Sequence, residues 1–385
     1  MPVKLENDIE DQDFIDRINA IGGDDARVYG HIVGNLSYWD PEGEYKSFMR
    51  PLLKFRPEEE LFDYTYAYAQ TIEEDELKMM RLLGVPEASI ADGSVYRMVF
   101  PSSSASIVSV LNLLKRGGVE KLGLIAPVYF SVDCVCDALS LWQNKYDTVD
   151  DAIADGCDAL WLTSPIFNTG VPFSRELKDK IHRIHDELGV PLVFDESLCL
   201  NGGEMVREFK VDTKTFFIYE PHKAISVNAV KFSTVILHNN HLDFCDSWLD
   251  VFAGALTNSN IEALRHFASG NYLTECLPAY LGFVRARTEK FNAIVRRFPF
   301  ARTREEGVGH YRLVYTTIET PSKRKFLDDL ARIYKRTGAI FYPESVRCFR
   351  PGATLNFRVN LLLDEEHCLA GTEKVLSVLE EEMAK

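Results

Sequence analysis

The chain has 385 residues, a length that exceeds one compact core and suits two domains. Its formal net charge at pH 7 is -15, which argues against a general binder of nucleic acid or of anionic membranes, because both need clustered Lys and Arg. The sequence contains no apolar run of about 18 residues or more, and its acidic start lacks a hydrophobic signal core, so we expect a cytoplasmic protein without membrane contact.

Residues 1–45 are predicted to form an N-terminal arm with a short helix. After the arm, short apolar runs alternate with amphipathic helices. The runs show no two-residue alternation, which is typical of strands buried on both faces. They therefore predict an α/β domain with a mostly parallel sheet and helices on both sides. The predicted strands lie at 121–126, 159–163, 191–194, 216–219 and 232–237.

Two helices of this large domain have clear start and stop signals. The helix predicted at 105–116 follows a serine run and ends at Gly117-Gly118. The helix predicted at 174–188 begins with a serine cap and ends at Gly189.

A long amphipathic helix predicted at 278–298 leads out of the large domain. The remaining elements indicate a smaller α+β domain, with strands near 311–317 and 356–363 and helices near 322–337 and 366–384. The predicted organisation is thus an arm at 1–45, a large domain at 46–277 and a small domain at 278–385.

The eight cysteines are scattered along the chain and include no C-x-x-C pair. This pattern favours reduced thiols that are mostly buried as small apolar residues. We therefore expect no metal site.

A serine-rich segment at 100–106 (FPSSSAS) lies between the end of an apolar strand and a helix. Small residues let backbone N–H groups approach a phosphate, and the helix N-terminus adds partial positive charge. A serine run before a helix is, however, more often a simple helix cap. The segment alone leaves both interpretations open.

Three further side chains follow predicted strand ends. Tyr129 could stack on a flat heterocycle, and Asp195 could point into the crevice where α/β proteins bind ligands and keep a pyridine nitrogen protonated. Lys223 could act as a nucleophile and proton carrier. Each also has an ordinary interpretation, as a loop tyrosine, a cap or turn aspartate and an exposed lysine.

Two cations extend the series. Lys231 follows Lys223 by eight residues and could close back on a phosphate. Arg358 lies inside an apolar strand of the small domain, where it needs an anionic partner. That partner is either a substrate carboxylate in bidentate geometry or the carboxylate of a structural salt bridge.

The order of these features over roughly residues 30–380 resembles that of the fold-type I pyridoxal phosphate (PLP) enzymes, the aminotransferase class I/II group. Residues 162–170 (LTSPIFNTG) are similar to the family's T-N-P-x-N-P-T-G turn, and residues 193–197 (VFDES) to its V-x-D-E-x strand end. The segment from Tyr342 through Gly352 to Arg358 is similar to its P-G-S…G…R segment.

The resemblance implies pyridoxal 5'-phosphate as cofactor and an amino acid as substrate. Lys223 would hold the cofactor as a Schiff base, the internal aldimine, while Asp195 pairs with the ring nitrogen and Tyr129 stacks on the ring. Ser103, Ser104 and Lys231 would hold the phosphate. The remaining implied contacts are Ala105, Asn168 and His222 to the cofactor, and Asn35 and Arg358 to the substrate, Arg358 through the α-carboxylate.

The sequence departs from the family pattern around the cofactor. The asparagine that bonds the ring hydroxyl aligns with Phe167, one position before Asn168, and the family tyrosine after the aspartate aligns with Leu198. Fewer donors there should raise the imine pKa. The family's Ser-x-Ser-Lys is Glu-Pro-His-Lys here, so we expect Glu220 to turn away from the phosphate and His222 to donate to it or to stack near the imine.

The second subunit contributes to the cofactor site in this family, so the resemblance also implies a homodimer. One of Tyr64, Tyr66 and Tyr68 would reach the partner's phosphate, and residues 254–260 are similar to the interface segment. The alternative is that both stretches are ordinary core or surface.

Three functions remain open, of which an aminotransferase is favoured. A PLP-dependent lyase, cyclase, decarboxylase or oxidase is the alternative, because the departures cluster around the cofactor. A non-catalytic binding module is disfavoured by the presence of both Asp195 and Lys223. A NAD enzyme is disfavoured because no G-x-G-x-x-G follows an early strand.

Overall fold

The computed structural model describes residues 9, 11–21, 43–53, 72–125, 127–166, 171–227, 230–242, 256–303, 309–343 and 349–384. The chain divides into two compact units: Leu52–Pro278, and Met1–Pro51 together with Ala279–Lys385. The three-part division into an arm, a large domain and a small domain stays a prediction.

A seven-stranded sheet forms the centre of the larger unit. Its strands are β1 (Val95–Phe100), β2 (Lys121–Ile125), β3 (Trp142–Tyr146), β4 (Ala159–Thr163), β5 (Leu192–Glu196), β6 (Thr215–Tyr219) and β7 (Ser233–His238). They are ordered β1-β7-β6-β5-β4-β2-β3. Strands β2 to β6 are mutually parallel, and β7 pairs antiparallel with both β6 and β1. The predicted mostly parallel sheet is therefore confirmed.

The five predicted strands are present. The strand at 159–163 has its predicted bounds and the other four have shifted ends, with the largest consequence for Asp195. The predicted strand at 191–194 runs over Leu192–Glu196, so Asp195 lies inside β5. The edge strand β3 was not predicted, because its sequence WQNKY carries no apolar run and Trp142 is largely exposed.

Helices cover the sheet of the larger unit. They are α3 (Glu73–Leu83), α4 (Glu87–Ala91), α5 (Ser103–Arg116), α6 (Phe130–Leu139), α7 (Val149–Ala154), α8 (Arg175–Leu188), α9 (Glu204–Glu208), α10 (Pro221–Ala224) and α11 (Asn258–Ala268). A 3-10 turn lies at Asn239–His241 and a π-helical turn at Tyr272–Cys276.

Side-chain caps fix where the main helices begin. Helix α5 begins at Ser103, two residues before the predicted start, because the Ser102 hydroxyl accepts the Ala105 N–H. Helix α8 is capped by Ser174 and ends at Gly189, as predicted. One face of the sheet and the inner faces of α5 and α6 form a continuous apolar core that includes Ile107, Trp161 and Ile218.

The smaller unit has a four-stranded antiparallel sheet ordered β10-β11-β9-β8. Its strands are β8 (Ala301–Thr303), β9 (Tyr311–Glu319), β10 (Tyr342–Pro343) and β11 (Thr354–Asn360). The helices outside the larger unit's core are α1 (Asp11–Ile21), α2 (Gly43–Met49), α12 (Leu277–Val295), α13 (Lys323–Thr337) and α14 (Gly371–Met383), with a 3-10 turn at Arg50–Leu52 and a π-helical turn at Glu366–Ala370. The helix predicted at 366–384 is thus divided into a π-helical turn and α14.

The six cysteines of the described segments are free thiols, and five of them are buried. None of the helices in the described part of the chain combines the length and hydropathy that a bilayer crossing requires.

Two glycines with left-handed backbone conformations allow a matched test of packing in the larger unit. A Cβ added to Gly203 (φ +60°) would lie 2.2 Å from the Leu83 carbonyl oxygen, whereas a Cβ added to Gly156 (φ +71°) would meet nothing within 4 Å. We expect Gly156→Ala to lower the free energy of unfolding by about 1–2 kcal/mol through backbone strain alone. Gly203→Ala should cost roughly 1–3 kcal/mol more, because the backbone must also shift. Urea denaturation followed by circular dichroism measures both, and equal losses would contradict this packing.

A buried histidine in the smaller unit should make its stability depend on pH. His310 is fully buried beside the Tyr280 hydroxyl, and burial lowers its pKa from 6.5 to about 3. Because the unfolded chain binds the proton first, the free energy of unfolding should fall as pH drops from about 6.5 towards 3, by up to about 1.4 kcal/mol per pH unit.

Urea denaturation of His310→Gln at a series of pH values measures this effect. The variant should show a shallower slope across that window. Tyr280→Phe keeps the buried imidazole and should keep the slope, whatever its offset in stability. An unchanged slope in His310→Gln would rule out His310 as the source.

Candidate active site

Strand topology brings several polar side chains to one edge of the larger sheet. Strands β2 to β6 are parallel, and β1 runs in the same direction as β6 because both are antiparallel to β7. The carboxyl ends of β1, β2, β4, β5 and β6 therefore lie at the same edge, which is where open α/β sheets bind ligands. Ser103 and Lys223 follow two of these strands, and Asp195 is the second-to-last residue of a third.

Asp195 faces the same side of the sheet as helix α5. It is 4% exposed, and its Oδ1 accepts hydrogen bonds from the Ser197 N–H (3.1 Å) and the Ser197 hydroxyl (2.6 Å). Burial raises the pKa of Asp195, whereas the positive charge of Lys223 and the Ser197 hydrogen bonds act in the opposite direction. The carboxylate is thus held in place by a serine and lies within the electrostatic reach of Lys223.

Lys223 lies in α10, the short helix that directly follows β6. It is 6% exposed, its Nζ donates to the Ser103 hydroxyl at 2.8 Å, and the same atom lies 5.0 Å from the centre of the Tyr129 ring. Burial lowers the pKa of the amine, and the carboxylates of Glu220 and Asp195 only partly offset this effect. A buried amine with a lowered pKa is a better nucleophile than an exposed one.

Glu220 also faces this cluster, and the expectation that it turns away is wrong. Its side chain is fully buried, and Oε2 accepts the Ser103 N–H at 3.0 Å. The carboxylate lies 3.8 Å from the Lys223 amine and 3.6 Å from the Lys231 amine. The helix N-terminus and two lysines create a positive region, which holds the nearest carboxylate inward.

Sequence reasoning missed the contact of Glu220 with Ser103. The available signal was an acidic residue at a position where the resembling family has serine, three residues before the lysine. That signal marks an altered phosphate contact, but the direction of the side chain depends on the three-dimensional arrangement of Ser103, Lys223 and Lys231.

His222 is fully buried and packs next to α11. Its Nε2 and the Nδ1 of His266 are 3.2 Å apart, and its ring contacts Tyr272 edge-on at 5.5 Å. Burial, followed by the neighbouring His266, lowers the pKa of His222 to about 3. These contacts tie the segment before Lys223 to the core, and a role of His222 towards a cofactor stays a prediction.

Two hydroxyl groups next to Asp195 were also missed. Thr163 pairs in register with Asp195, and Ser164 is the next residue. Both hydroxyl oxygens are buried and make no hydrogen bond within the described residues. Thr163 also lines a cavity of about 310 Å³ at the carboxyl ends of β2 and β4. This end of the sheet therefore offers two hydroxyl groups that form no hydrogen bond with the described residues.

Some of the other residues predicted at the site lie within the described part of the chain, and some lie outside it. Ser104 is exposed on the first turn of α5, and the Ala105 N–H donates to the Ser102 hydroxyl at 3.4 Å. Leu198 is buried. The predictions for Asn35, Phe167, Asn168, Tyr64, Tyr66 and Tyr68, and part of residues 254–260, lie outside the described residues.

Arg358 belongs to the smaller unit, on β11. It is 2% exposed, pairs across the sheet with Tyr342, and its guanidinium lies 5.6 Å from the centre of the Tyr311 ring. The cation is thus held among aromatic residues, and its assignment to a substrate carboxylate stays a prediction.

No family model matches the chain, and no curated protein does. Solved structures do match it. A kynurenine aminotransferase from Pyrococcus horikoshii is similar over 98% of this chain and 95% of its own, with a TM-score of 0.68 and 12% identity. A C-S lyase from Staphylococcus hominis is similar over 94% and 96%, with a TM-score of 0.64 and 16% identity. A putative L-allo-threonine aldolase from Listeria monocytogenes is similar over 95% and 99%, with a TM-score of 0.60 and 15% identity.

These neighbours differ in the reactions that their names state, yet each shares the architecture over nearly the whole chain. At such low identities the likeness concerns the fold. The chain has the fold of the fold-type I PLP-dependent enzymes.

Proposed function

We propose that the chain is a PLP-dependent enzyme that acts on an amino acid, as an aminotransferase. The observation that carries the proposal is the convergence of a buried amine, Lys223, and a buried carboxylate, Asp195, at one edge of the sheet. Burial of an ionisable group lowers the free energy of unfolding, and groups with perturbed pKa values cluster at active sites.

The described side chains fit the parts of this cofactor. Asp195 suits the ring nitrogen, and the Tyr129 ring suits the ring face. The unused hydroxyls of Thr163 and Ser164 offer partners for the ring oxygen. Ser103 and Lys231 supply hydrogen-bond donors for the phosphate, although both contact the Glu220 carboxylate in this structure. Bound PLP supplies an electron-withdrawing ring for breaking a bond at the α-carbon of an amino acid.

Each residue then has a definite task. Lys223 would hold the cofactor through Nζ and, once the substrate amine has displaced it, would carry a proton to and from the substrate α-carbon. The Ser103 hydroxyl accepts a hydrogen bond from this amine and orients it. Asp195 would keep a proton on the ring nitrogen, and Ser197 fixes the direction of the Asp195 carboxylate. Tyr129, whose ring centre lies 5.0 Å from the Lys223 amine, would orient the cofactor ring and exclude water from one side of it.

Arg358 is the proposed partner of the substrate α-carboxylate, with Asn35 as a second contact. A buried guanidinium presents a planar pair of donors that matches a carboxylate in bidentate geometry. We further propose a homodimer in which one of Tyr64, Tyr66 and Tyr68 reaches the partner's phosphate.

A PLP-dependent lyase, cyclase, decarboxylase or oxidase is the second candidate. Leu198 places no hydroxyl beside Asp195, and Glu220 adds a carboxylate next to Lys223. Both features change proton transfer around the cofactor relative to the aminotransferase pattern. The same covalent attachment serves all these reactions, so the products separate them.

Covalent capture tests the role of Lys223. Incubation with PLP followed by borohydride reduction should label Lys223, as peptide mass spectrometry would show. Lys223→Ala should lose both the label and the yellow absorbance. Lys121 is a matched control, because it is also buried but lies at the amino end of β2. Lys121→Met should keep the label on Lys223, and labelling of other lysines instead would contradict the assignment.

A screen of amino acids against the loaded enzyme tests the reaction and the role of Asp195. Release of a 2-oxo acid with amination of the cofactor marks an aminotransferase, whereas ammonia, CO2 or a cyclised product marks the second candidate. With the amino acid that the screen identifies as substrate, Asp195→Asn should lower the reaction rate on the order of 100-fold or more, because the ring nitrogen loses its anionic partner.

Glu196→Gln is the matched control for Asp195→Asn. Glu196 is the next residue of β5 and is also buried, but its Oε1 accepts the Met205 N–H on the other face of the sheet. It should keep the wild-type rate. Equal losses in both variants would assign the Asp195 effect to folding rather than to chemistry.

A further inference from the structure

We propose that the Glu220 carboxylate is a built-in occupant of the phosphate subsite, and that it competes with the cofactor's phosphate for Ser103 and Lys231. The proposal rests on the proposed function and deepens it. The site would then select its cofactor by the ring and the aldehyde, and the phosphate would add little affinity.

The first support is the contact with the helix N-terminus. Ser103 is the first residue of α5, a helix of 14 residues, and its N–H points to the Glu220 Oε2 at 3.0 Å. Free N–H groups at such a position are the usual ligands of a phosphate in α/β proteins. Glu220 reaches this donor from 117 residues away in the chain, so the contact is tertiary and is not a local helix cap.

The second support is the arrangement of charge. The Glu220 oxygens lie 3.8 Å from the Lys223 amine and 3.6 Å from the Lys231 amine. The Glu220 side chain is fully buried, whereas 27% of the Lys231 side chain is exposed. A phosphate that entered from the Lys231 side would therefore meet a desolvated carboxylate, and like charges at such short range oppose binding strongly.

A plain structural role is the competing explanation. Glu220 could serve only as the counter-ion that makes burial of Lys223 tolerable. In that case, removal of the Glu220 carboxylate would weaken the binding of every compound that reacts with Lys223. Competition with phosphate predicts a contrast instead, because pyridoxal shares the ring and the aldehyde of PLP but lacks the phosphate.

Absorbance titrations of wild type and Glu220→Gln with PLP and with pyridoxal measure this contrast as four dissociation constants. In wild type, PLP should bind less than about tenfold more tightly than pyridoxal, because the phosphate finds its donors in use. In Glu220→Gln, PLP should tighten by about tenfold or more while pyridoxal changes by less than about threefold. Glu196→Gln removes a buried carboxylate from the opposite face and should leave all values unchanged.

Inorganic phosphate gives a readout without any cofactor. It should raise the melting temperature of Glu220→Gln and leave that of wild type unchanged, because only the variant lacks the negative charge beside the Lys223 and Lys231 amines. If Glu220→Gln does not fold, Glu220→Asp is the substitute, because its shorter side chain moves the carboxylate away from Ser103 and Lys231. This variant should also bind PLP more tightly relative to pyridoxal than wild type does, by a smaller factor. The wild-type ratio of the two dissociation constants decides the matter even without a variant.

The outcomes separate this inference from the proposed function. If neither PLP nor pyridoxal attaches to Lys223 after borohydride reduction, the proposed function fails. If both attach and wild type prefers PLP by about 1000-fold or more, or if Glu220→Gln shifts both ligands equally, only the competition by Glu220 is overturned.

Discussion

Burial of the Lys223 amine is the constraint on which the rest of the site depends. Because Lys223 is only 6% exposed, its ammonium group loses most of its hydration, and the protein must replace that hydration with fixed partners. The Ser103 hydroxyl accepts one hydrogen bond, and Glu220 and Asp195 supply negative charge. Each of these groups is itself buried, so none of them is stable in place without the others. The cluster therefore forms as a set of four side chains from three separate segments of the larger unit.

The sheet provides the rigidity that such a set requires. Asp195 lies inside β5 between two parallel neighbours, β4 and β6, and cannot move without breaking their hydrogen bonds. Lys223 follows β6 within a short helix whose Pro221 carbonyl accepts the Tyr272 hydroxyl at 2.9 Å. Ser103 is fixed by the start of α5, whose inner face packs in the apolar core. The polar groups are thus positioned by elements whose stability comes from apolar burial elsewhere.

The sequence predicts the parts of the molecule that depend on local pattern. Short apolar runs marked β4, β5, β6 and β7, and serine and glycine signals marked both ends of α8. Strand β3 lacked an apolar run because it is an edge strand that needs no burial on both faces. In the site, Asp195 and Lys223 could be selected because each follows or ends a buried strand. These two residues converge because β5 and β6 are parallel neighbours. The approach of Ser103 depends on the antiparallel insertion of β7 between β1 and β6, which no local pattern records.

The direction of Glu220 shows where sequence reasoning stops. A carboxylate beside the groups that bind a phosphate is unfavourable only when the phosphate is bound. In the chain by itself, the same donors and the same lysines need an anion, and Glu220 is the nearest one. A residue that stabilises the protein alone can therefore oppose its ligand, since stability and affinity draw on the same donors. One buried carboxylate at position 220 links the cost of burying Lys223 to the strength with which the site can hold a phosphate.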